Sequence, residues 1–363
     1  MRRVSHSQVN GRCRSGGRLA SSAVSARGVV ESVLLRALLA PSPARRLVAG
    51  RPVTVDGQTL APDLQAMLRL QSIARPRNEE VPIEKLRAGM RTETALVGGK
   101  QAIGSTRDLT VAGRPARHYL PSSPVSDEPG PLLVFLHGGG FIEGDLDTHD
   151  APCRVLAERS GVPVLALTYR RGPEHPFPAA HDDADEGFRW VVDHADELGA
   201  DPARIAVGGD SAGANLAASV ALAAARDGVP LAWQLLIYPV TRVGIVTPSR
   251  ERFAEGFYLS AEFIDRADAS YTPRQEDRDD PRISILEAEI PPGLAPAYVV
   301  TAGFDPLRDE GEAYARRMAD AGVAVELERR TDQIHGFFNI VGVGHTPRAG
   351  VDKMADRLRA ALA

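Results

Sequence analysis

Short apolar runs recur along the second half of this chain, and stretches with helical spacing lie between them. Nearly continuous apolar strands are covered on both faces, so the alternation predicts a doubly wound α/β sheet that is mostly parallel. Two more strands are expected in 106–120, on either side of Ala112-Gly113. The other strands are predicted at 131–136, 162–168, 205–207, 231–237, 297–300 and 323–327, and helices at 177–198, 212–227, 308–321 and 348–362.

The composition is ordinary for a globular protein. Of the 363 residues 43% are hydrophobic and 25% are charged, and the net charge is -4. No surplus of basic residues is available to bind a polyanion, so we expect no nucleic-acid partner. Two cysteines, Cys13 and Cys153, cannot build a disulfide framework or a zinc cluster, and Cys153 is predicted to be a buried helix residue. Charges interrupt the apolar runs, so no membrane span is expected.

Residues 1–28 differ in composition from the rest of the chain. They contain six arginines and no aspartate or glutamate. Such a start is typical of a transit peptide, but a non-native start site or a flexible tail would look the same. We expect a disordered tail outside the core and a cytoplasmic protein.

The regular alternation fails between Tyr238 and Pro296. This stretch is rich in charged residues. An insertion of this length between two strands usually serves function. Its mixture of charged and aromatic side chains predicts a substrate pocket of limited size. The aromatic residues are Phe253, Phe257, Tyr258, Phe263 and Tyr271.

A serine lies on a sharp turn between a predicted strand and a predicted helix, in the sequence Gly209-Asp210-Ser211-Ala212-Gly213. Such a turn strains the serine backbone, and flanking glycines let the strand and the helix approach closely. The hydroxyl is then exposed above the sheet. Glycine and serine are common in loops, so the pattern is weak until its partners are found.

Three glycines follow the predicted strand that ends at Leu136, in the sequence His137-Gly-Gly-Gly-Phe141. Ligand sites of open α/β sheets lie at this carboxyl edge. Without Cβ atoms, backbone N–H groups can point outward and bind a developing oxyanion. His137 is expected to orient the loop; a plain glycine-rich turn is the alternative. Neither a phosphate-binding loop nor a dinucleotide fingerprint is present.

A nucleophilic serine needs a histidine to remove its proton and a carboxylate to orient that histidine. Asp305 and His335 each lie just beyond a predicted strand. The chain order Ser211, Asp305, His335 is one in which such a triad occurs. These three residues are therefore the candidate catalytic group.

Two members of this group have neighbours that could take their place. Asp309 and Glu310 follow Asp305 closely, but they are typical of the first turn of a helix, where acidic residues favour the helix dipole. His345 is the positional alternative to His335, and its glycine and proline neighbours indicate a simple turn.

A proline-rich segment, 169–180, leaves one predicted strand and enters a long helix. Glu174 and His175 could belong to an active site, but a rigid connection whose charges hold neighbouring loops explains them better. Asp182, Asp183 and Asp185 follow, where an acidic first turn of a helix needs no bound ion. No metal site is predicted.

These motifs resemble those of the hormone-sensitive lipase family of α/β-hydrolases, the bacterial group that carries HGGG and GDSAG. The resemblance runs from about residue 130 to the C terminus and also includes 305–311 and 335–337. It implies an α/β-hydrolase fold with an eight-stranded, mostly parallel sheet and a helical cap. It also implies that Ser211 is the nucleophile, His335 the base and Asp305 the acid.

The same resemblance implies an oxyanion hole and a division into domains. The donors would be the N–H groups of Gly139, Gly140 and Ala212. The family's cap is built from N-terminal helices and an insertion after the sixth strand, here 29–95 and 241–290, so that 96–240 and 291–363 form the core. The residues that support these motifs are His137, Gly138, Gly209, Asp210 and Gly213.

The implied activity is that of a serine carboxylesterase that hydrolyses short- to medium-chain acyl esters through an acyl-enzyme, with no metal or cofactor. Its partner would be a small-molecule ester, and family members often form homodimers. An amidase or deacetylase would use the same triad and stays open. A non-catalytic ligand receptor of this fold lacks the catalytic histidine, and His335 in its HGF context argues against it.

Overall fold

The structure, a computed structural model, describes residues 43–74, 81–123 and 128–363. The predictions for residues 1–28, including Cys13, and for the beginning of the segment 29–95 therefore concern residues outside this range. None of the helices within the described ranges is both long enough and apolar enough to cross a membrane.

An eight-stranded sheet forms the centre of the fold. In spatial order the strands are β10 (Val325–Ile334), β9 (Ala297–Phe304), β8 (Trp233–Ile237), β7 (Ala200–Asp210), β5 (Gly130–Leu136), β6 (Val164–Leu167), β4 (Arg114–Leu120) and β3 (Ser105–Val111). Neighbouring strands are parallel except where β4 pairs with β3 and with β6. The sheet is thus mostly parallel, as predicted. A separate hairpin consists of β1 (Thr54–Val55) and β2 (Gln58–Thr59).

Helices pack against both faces of the sheet. The helices are α1 (Pro43–Ala49), α2 (Pro62–Ala74), α3 (Ile83–Gly98), α4 (Asp150–Ser160), α5 (Ala179–Asp193), α6 (Ala212–Asp227), α7 (Pro248–Arg252), α8 (Ala261–Tyr271), α9 (Arg308–Asp320) and α10 (Thr346–Ala361). The helices α5, α6 and α9 contribute buried side chains to the core on one face of the sheet, and α4 and α10 contribute to the core on the other. Cys153 is fully buried on α4, as predicted.

Edge strands are where the apolar pattern and the structure differ most. The run 323–327 predicts a short strand, whereas β10 begins at Val325 and continues to Ile334. Most of β10 is only partly buried, because it lies at the edge of the sheet, and its charged residues hide the strand from a search for apolar runs. The consequence is functional: β10 carries the chain directly to His335.

A third apolar cluster lies beyond the carboxyl ends of β9 and β10. It joins the hairpin and the N-terminal helices to the insertion between β8 and β9. Phe304 and Ile334, which directly precede Asp305 and His335, belong to it. We call this group the rim cluster; its buried members are Ala49, Leu60, Ala61, Leu64, Ala66, Met67, Val97, Phe253, Phe304, Ile334, Ile340 and Val343.

Candidate active site

Ser211 occupies the turn between β7 and α6. Its φ of 55° and ψ of -119° lie where a residue with a side chain is strained. Gly209 and Gly213 flank it, and a Cβ atom on either would collide with neighbouring backbone, including the carbonyl of Leu136. The Ser211 N–H donates to the carbonyl of Ile237 over 2.9 Å. The turn therefore presents the hydroxyl at the carboxyl edge of the sheet.

His335 lies between Ser211 and Asp305. Its Nδ1 is 2.8 Å from Asp305 Oδ2, and its Nε2 is 3.0 Å from Ser211 Oγ. A carboxylate can only accept, so Nδ1 carries the hydrogen and Nε2 is free to accept the serine proton. Asp305 is fully buried, and its other oxygen accepts the N–H of Leu307 over 2.8 Å. The three side chains form a hydrogen-bonded row in which the serine proton can pass to the imidazole.

The glycine loop after β5 lies beside this row. Gly139, Gly140 and Phe141 have φ values of 120°, 58° and 61°. The carbonyl of Gly139 accepts the N–H groups of Ile142 and Glu143, which closes the turn. Within the described ranges, no protein acceptor is found for the N–H groups of Gly139, Gly140 and Ala212. These groups are thus available to an oxygen of a ligand.

His137 begins the glycine loop and is held in place by Tyr169. Its ring stacks on Tyr169 with 4.3 Å between centroids, and its carbonyl accepts the Tyr169 hydroxyl over 2.6 Å. Burial lowers the pKa of His137 to about 3, so the ring is neutral at physiological pH.

Known esterases are similar to this chain in sequence and in fold. Residues 133–339 match the family model of the α/β hydrolase fold. Carboxylic ester hydrolase LipN of Mycobacterium tuberculosis is 45% identical over 338 residues, which cover 89% of each chain. The chain belongs to the hormone-sensitive-lipase-like esterases of the α/β-hydrolase fold.

Other esterases match over nearly their whole length. Ethyl acetate hydrolase of Pseudomonas putida is 37% identical over 83% of this chain and 99% of its own. The structure of an esterase from Pyrobaculum calidifontis superposes with a TM-score of 0.78 at 35% identity, covering 84% of this chain and all of the other. The family resemblance drawn from the motifs is thereby confirmed, as is the fold.

The alternatives to Asp305 and His335 in this esterase have other partners. Asp309 accepts the N–H of Ser249 over 2.8 Å, and Glu310 accepts from Arg250 Nε over 2.7 Å. Both lie in the first turn of α9, as predicted, but they also hold the insertion, which the helix-dipole argument did not foresee. The N–H of His345, the residue before α10, donates to the carboxylate of Asp63 over 2.8 Å.

The segment 169–180 is a connection held by ion pairs. Glu174 forms a pair with Arg87 of α3, which lowers the pKa of Glu174 to about 2. Of the three aspartates predicted for the first turn, only Asp182 lies there, because α5 begins at Ala179. Asp183 is buried and paired with both Arg114 and Arg170, and Asp185 is paired with Arg189. Among the described residues, no group of three or more histidine, cysteine, aspartate or glutamate side chains is placed to hold a metal ion.

Side chains of the insertion lie against both sides of the candidate site. A Cβ atom on Gly336 would be 2.7 Å from the ring of Tyr258, and one on Gly140 would be 3.0 Å from both Phe263 and Ala267. The insertion therefore packs on the loop that follows His335 and on the glycine loop. Tyr258 and Phe263 stand out in the sequence as aromatic residues of the insertion, but the sequence does not show which residues they contact.

Two further residues next to the site were not identified as functional from the sequence, although Tyr238 directly follows β8 at the same edge of the sheet. Tyr238 lies under His335 with 4.4 Å between ring centroids. His149 directly precedes α4, yet its Nε2 is 3.0 Å from Asp210 Oδ1, beside the serine. Their sequence neighbours do not reveal these contacts, because each contact joins segments that only the folded sheet brings together.

Proposed function

We propose that this esterase hydrolyses short- to medium-chain carboxylic esters through an acyl-enzyme formed on Ser211. The observation that carries the proposal is the row Ser211, His335 and Asp305, with gaps of 3.0 and 2.8 Å. The strained turn that holds the serine and the burial of the aspartate are features that a nucleophile and its orienting acid require.

In the proposed reaction, His335 Nε2 takes the proton of Ser211 as Oγ attacks the acyl carbonyl. The imidazolium that forms is stabilised by Asp305 and then returns the proton to the leaving alcohol. Water repeats the same steps on the acyl-enzyme and releases the carboxylic acid. This cycle uses no metal or cofactor.

The proposed oxyanion hole consists of the N–H groups of Gly139, Gly140 and Ala212. Negative charge develops on the carbonyl oxygen in the transition state, and fixed N–H donors stabilise it without reorganisation. The positive φ values of Gly139 and Gly140 orient these peptides. Each donor is supplied by backbone, so the hole depends on loop shape rather than on side-chain identity.

The proposed cap consists of the N-terminal helices within 29–95 and the insertion 241–290. The contacts of Phe263 and Ala267 with Gly140, and of Tyr258 with Gly336, support a pocket of limited size. The name of the Pseudomonas putida relative, ethyl acetate hydrolase, agrees with a preference for small acyl groups.

The decisive test replaces the nucleophile. Ser211→Ala is expected to reduce hydrolysis of p-nitrophenyl butyrate by roughly 10⁴- to 10⁶-fold, as for removal of a triad nucleophile. Ser219→Ala, on the same helix, serves as the matched control and should keep the parent rate. A Ser211→Ala enzyme that hydrolyses the ester at the rate of the parent would overturn the assignment.

Two substrate series refine the proposal. With p-nitrophenyl esters of increasing chain length, kcat/KM is expected to peak at short or medium acyl groups. Anilides of the same acids measure amide hydrolysis. Turnover of anilides above that of the matching esters would replace the esterase with an amidase that uses the same triad.

A further inference from the structure

Asp210 directly precedes the candidate nucleophile, and its side chain is 5% exposed. Oδ1 accepts the N–H of Gly138 over 2.8 Å and lies 3.0 Å from His149 Nε2, and Oδ2 accepts the Tyr238 hydroxyl over 3.4 Å. A Cβ atom on Gly138 would be 2.6 Å from Oδ2. The second residue of the glycine loop therefore has to be glycine for the carboxylate to reach the loop.

The hydrogen between Asp210 and His149 can be assigned because a carboxylate only accepts. His149 Nε2 is 3.0 Å from Asp210 Oδ1, so the hydrogen of this contact lies on Nε2. The N–H of Gly138 is 2.8 Å from Oδ1 and 3.3 Å from Nε2, and with a hydrogen on Nε2 it donates to the carboxylate. At the other ring nitrogen, Nδ1 is 2.9 Å from Thr148 Oγ1.

Asp210 remains ionised despite its surroundings. Burial alone would raise the pKa of a carboxyl group, but the charge of His149, its hydrogen bond and the N–H of Gly138 together lower the pKa of Asp210. A buried carboxylate with no partner would oppose negative charge on a substrate oxygen nearby. Its pairing with His149 reduces that opposition while the carboxylate still holds the loop.

The bond to Gly138 fixes the first N–H of the glycine loop on the protein side. The next two N–H groups, those of Gly139 and Gly140, follow from this fixed peptide. On the other side of the same peptide, the carbonyl of His137 is held by Tyr169 over 2.6 Å. The orientation of the two free donors is therefore set at the peptide between His137 and Gly138.

We propose that Asp210 and His149 are a positioning pair that sets the oxyanion loop, residues 137–141, by holding the N–H of Gly138. The inference rests on the proposed function, because it concerns the transition state of ester hydrolysis. Neither residue touches the reacting atoms in this role. Their loss should therefore reduce kcat and leave the binding of substrate nearly unchanged.

The first test compares variants that keep or remove the donor to Asp210. His149→Leu should lower kcat on the order of 10-fold, and Asp210→Asn by about 10- to 100-fold, less than the ~100- to 1000-fold cost of removing an oxyanion donor outright. His149→Gln, which can still donate an N–H, should recover most of the parent kcat. Asp147→Asn, an exposed acid of the same region, is the control and should behave as the parent.

The measurement is KM and kcat for p-nitrophenyl butyrate, with kcat expressed per serine titrated with a phosphonate. This normalisation removes any loss due to misfolded enzyme. If the two residues act as one pair, Asp210→Asn combined with His149→Leu should be no slower than the slower single variant. If Asp210→Asn does not fold, the contrast between His149→Leu and His149→Gln decides.

The proposal is overturned if His149→Leu keeps kcat per titrated serine within about twofold of the parent. It is also overturned if KM rises by the same factor by which kcat falls, or if the kcat of His149→Gln is as low as that of His149→Leu. These failures differ from failure of the proposed function, in which the parent itself would show no hydrolysis that depends on Ser211.

Discussion

At the residue scale, two histidines near the C terminus illustrate how contacts divide similar side chains into different roles. His335 Nε2 faces Ser211, whereas the backbone of His345 is bound by Asp63. His335→Gln is expected to lower kcat by roughly 10⁴-fold or more, because glutamine cannot accept and return a proton. His345→Gln is the matched control and should keep the parent rate in a p-nitrophenyl butyrate assay. Equal losses in both variants would contradict the proposed role of His335.

His118 provides a pH-dependent prediction. It lies buried on β4, neither ring nitrogen has a hydrogen-bond partner among the residues that the structure describes, and burial lowers its pKa to about 4. The unfolded chain binds a proton near pH 6.5, so the contribution of this group is present above that pH and is lost as the pH falls toward 4. The loss should be on the order of 2–3 kcal/mol for this group.

The measurement for His118 is the free energy of unfolding in urea at pH 7 and at pH 4.5. His118→Phe removes the titrating ring and should make stability less dependent on pH in this range. An unchanged pH dependence in the variant would show that His118 does not titrate on unfolding. His194→Phe, at the end of α5, where the ring is only partly buried, is the control.

The residues of the candidate site differ in how far sequence could predict them. Ser211, Asp305 and His335 each follow a strand, and short-range patterns mark such positions. Tyr238 also directly follows a strand, β8, but its sequence neighbours do not show that its ring lies against His335. His149 follows no strand, and its partner Asp210 lies on β7. Asp183 has a local explanation as a helix residue, but its pairing with two arginines depends on sheet order.

At the element scale, the insertion between β8 and β9 is held to the core by a buried ion pair. Glu310 of α9 is fully buried; its carboxylate accepts from Arg250 of α7 and from the N–H of Thr241 over 2.9 Å. Burial raises the pKa of Glu310, although the cation of Arg250 and the hydrogen bonds oppose this shift. The ionised form of Glu310 therefore depends on the cation of Arg250 in this buried position.

Removing that partner should destabilise the fold. Arg250→Met leaves the buried Glu310 without its cation, and we expect a loss of about 3–5 kcal/mol in the free energy of unfolding. Arg359→Met removes an arginine from an exposed pair with Asp356 and should give no measurable change. Urea unfolding followed by circular dichroism measures both. A loss no larger than that of Arg359→Met would contradict an anchoring role for the pair.

Element prediction succeeded where apolar residues mark both faces and was weaker at the edges. The helix expected at 212–227 is α6 with the same bounds, because an alanine-rich run follows the serine turn. β10 was expected to be short because its exposed positions are charged. The segments predicted as N-terminal helices also include the hairpin β1–β2, whose strands are too short to show a period.

At the scale of the whole molecule, Asp63 of α2 joins the N-terminal segment to the last helix. Its carboxylate accepts the N–H groups of His345 and Thr346 and the Thr346 hydroxyl, over 2.8, 3.1 and 3.0 Å. It therefore serves as a helix cap from a distant part of the chain. A carboxylate at a helix N terminus satisfies unpaired N–H groups and favours the helix dipole.

Asp63→Ala should lower the free energy of unfolding by about 1–3 kcal/mol, since two partly buried N–H groups lose a charged acceptor. Asp352→Ala, a half-buried acid of α10 paired with Arg348, is the control and should cost about 0.5 kcal/mol or less. Thermal and urea unfolding measure the difference. Equal effects would mean that the distant cap does not stabilise the fold.

The rim cluster has a consequence for the order in which the protein is made. Leu60 and Leu64 pack in the same cluster as Phe304 and Ile334, and Asp63 binds the start of α10. During synthesis from the N terminus, the hairpin and α2 leave the ribosome long before these partners exist. The hairpin and α2 can therefore pack in the rim cluster only when translation is almost complete, at the same stage at which His335 is made.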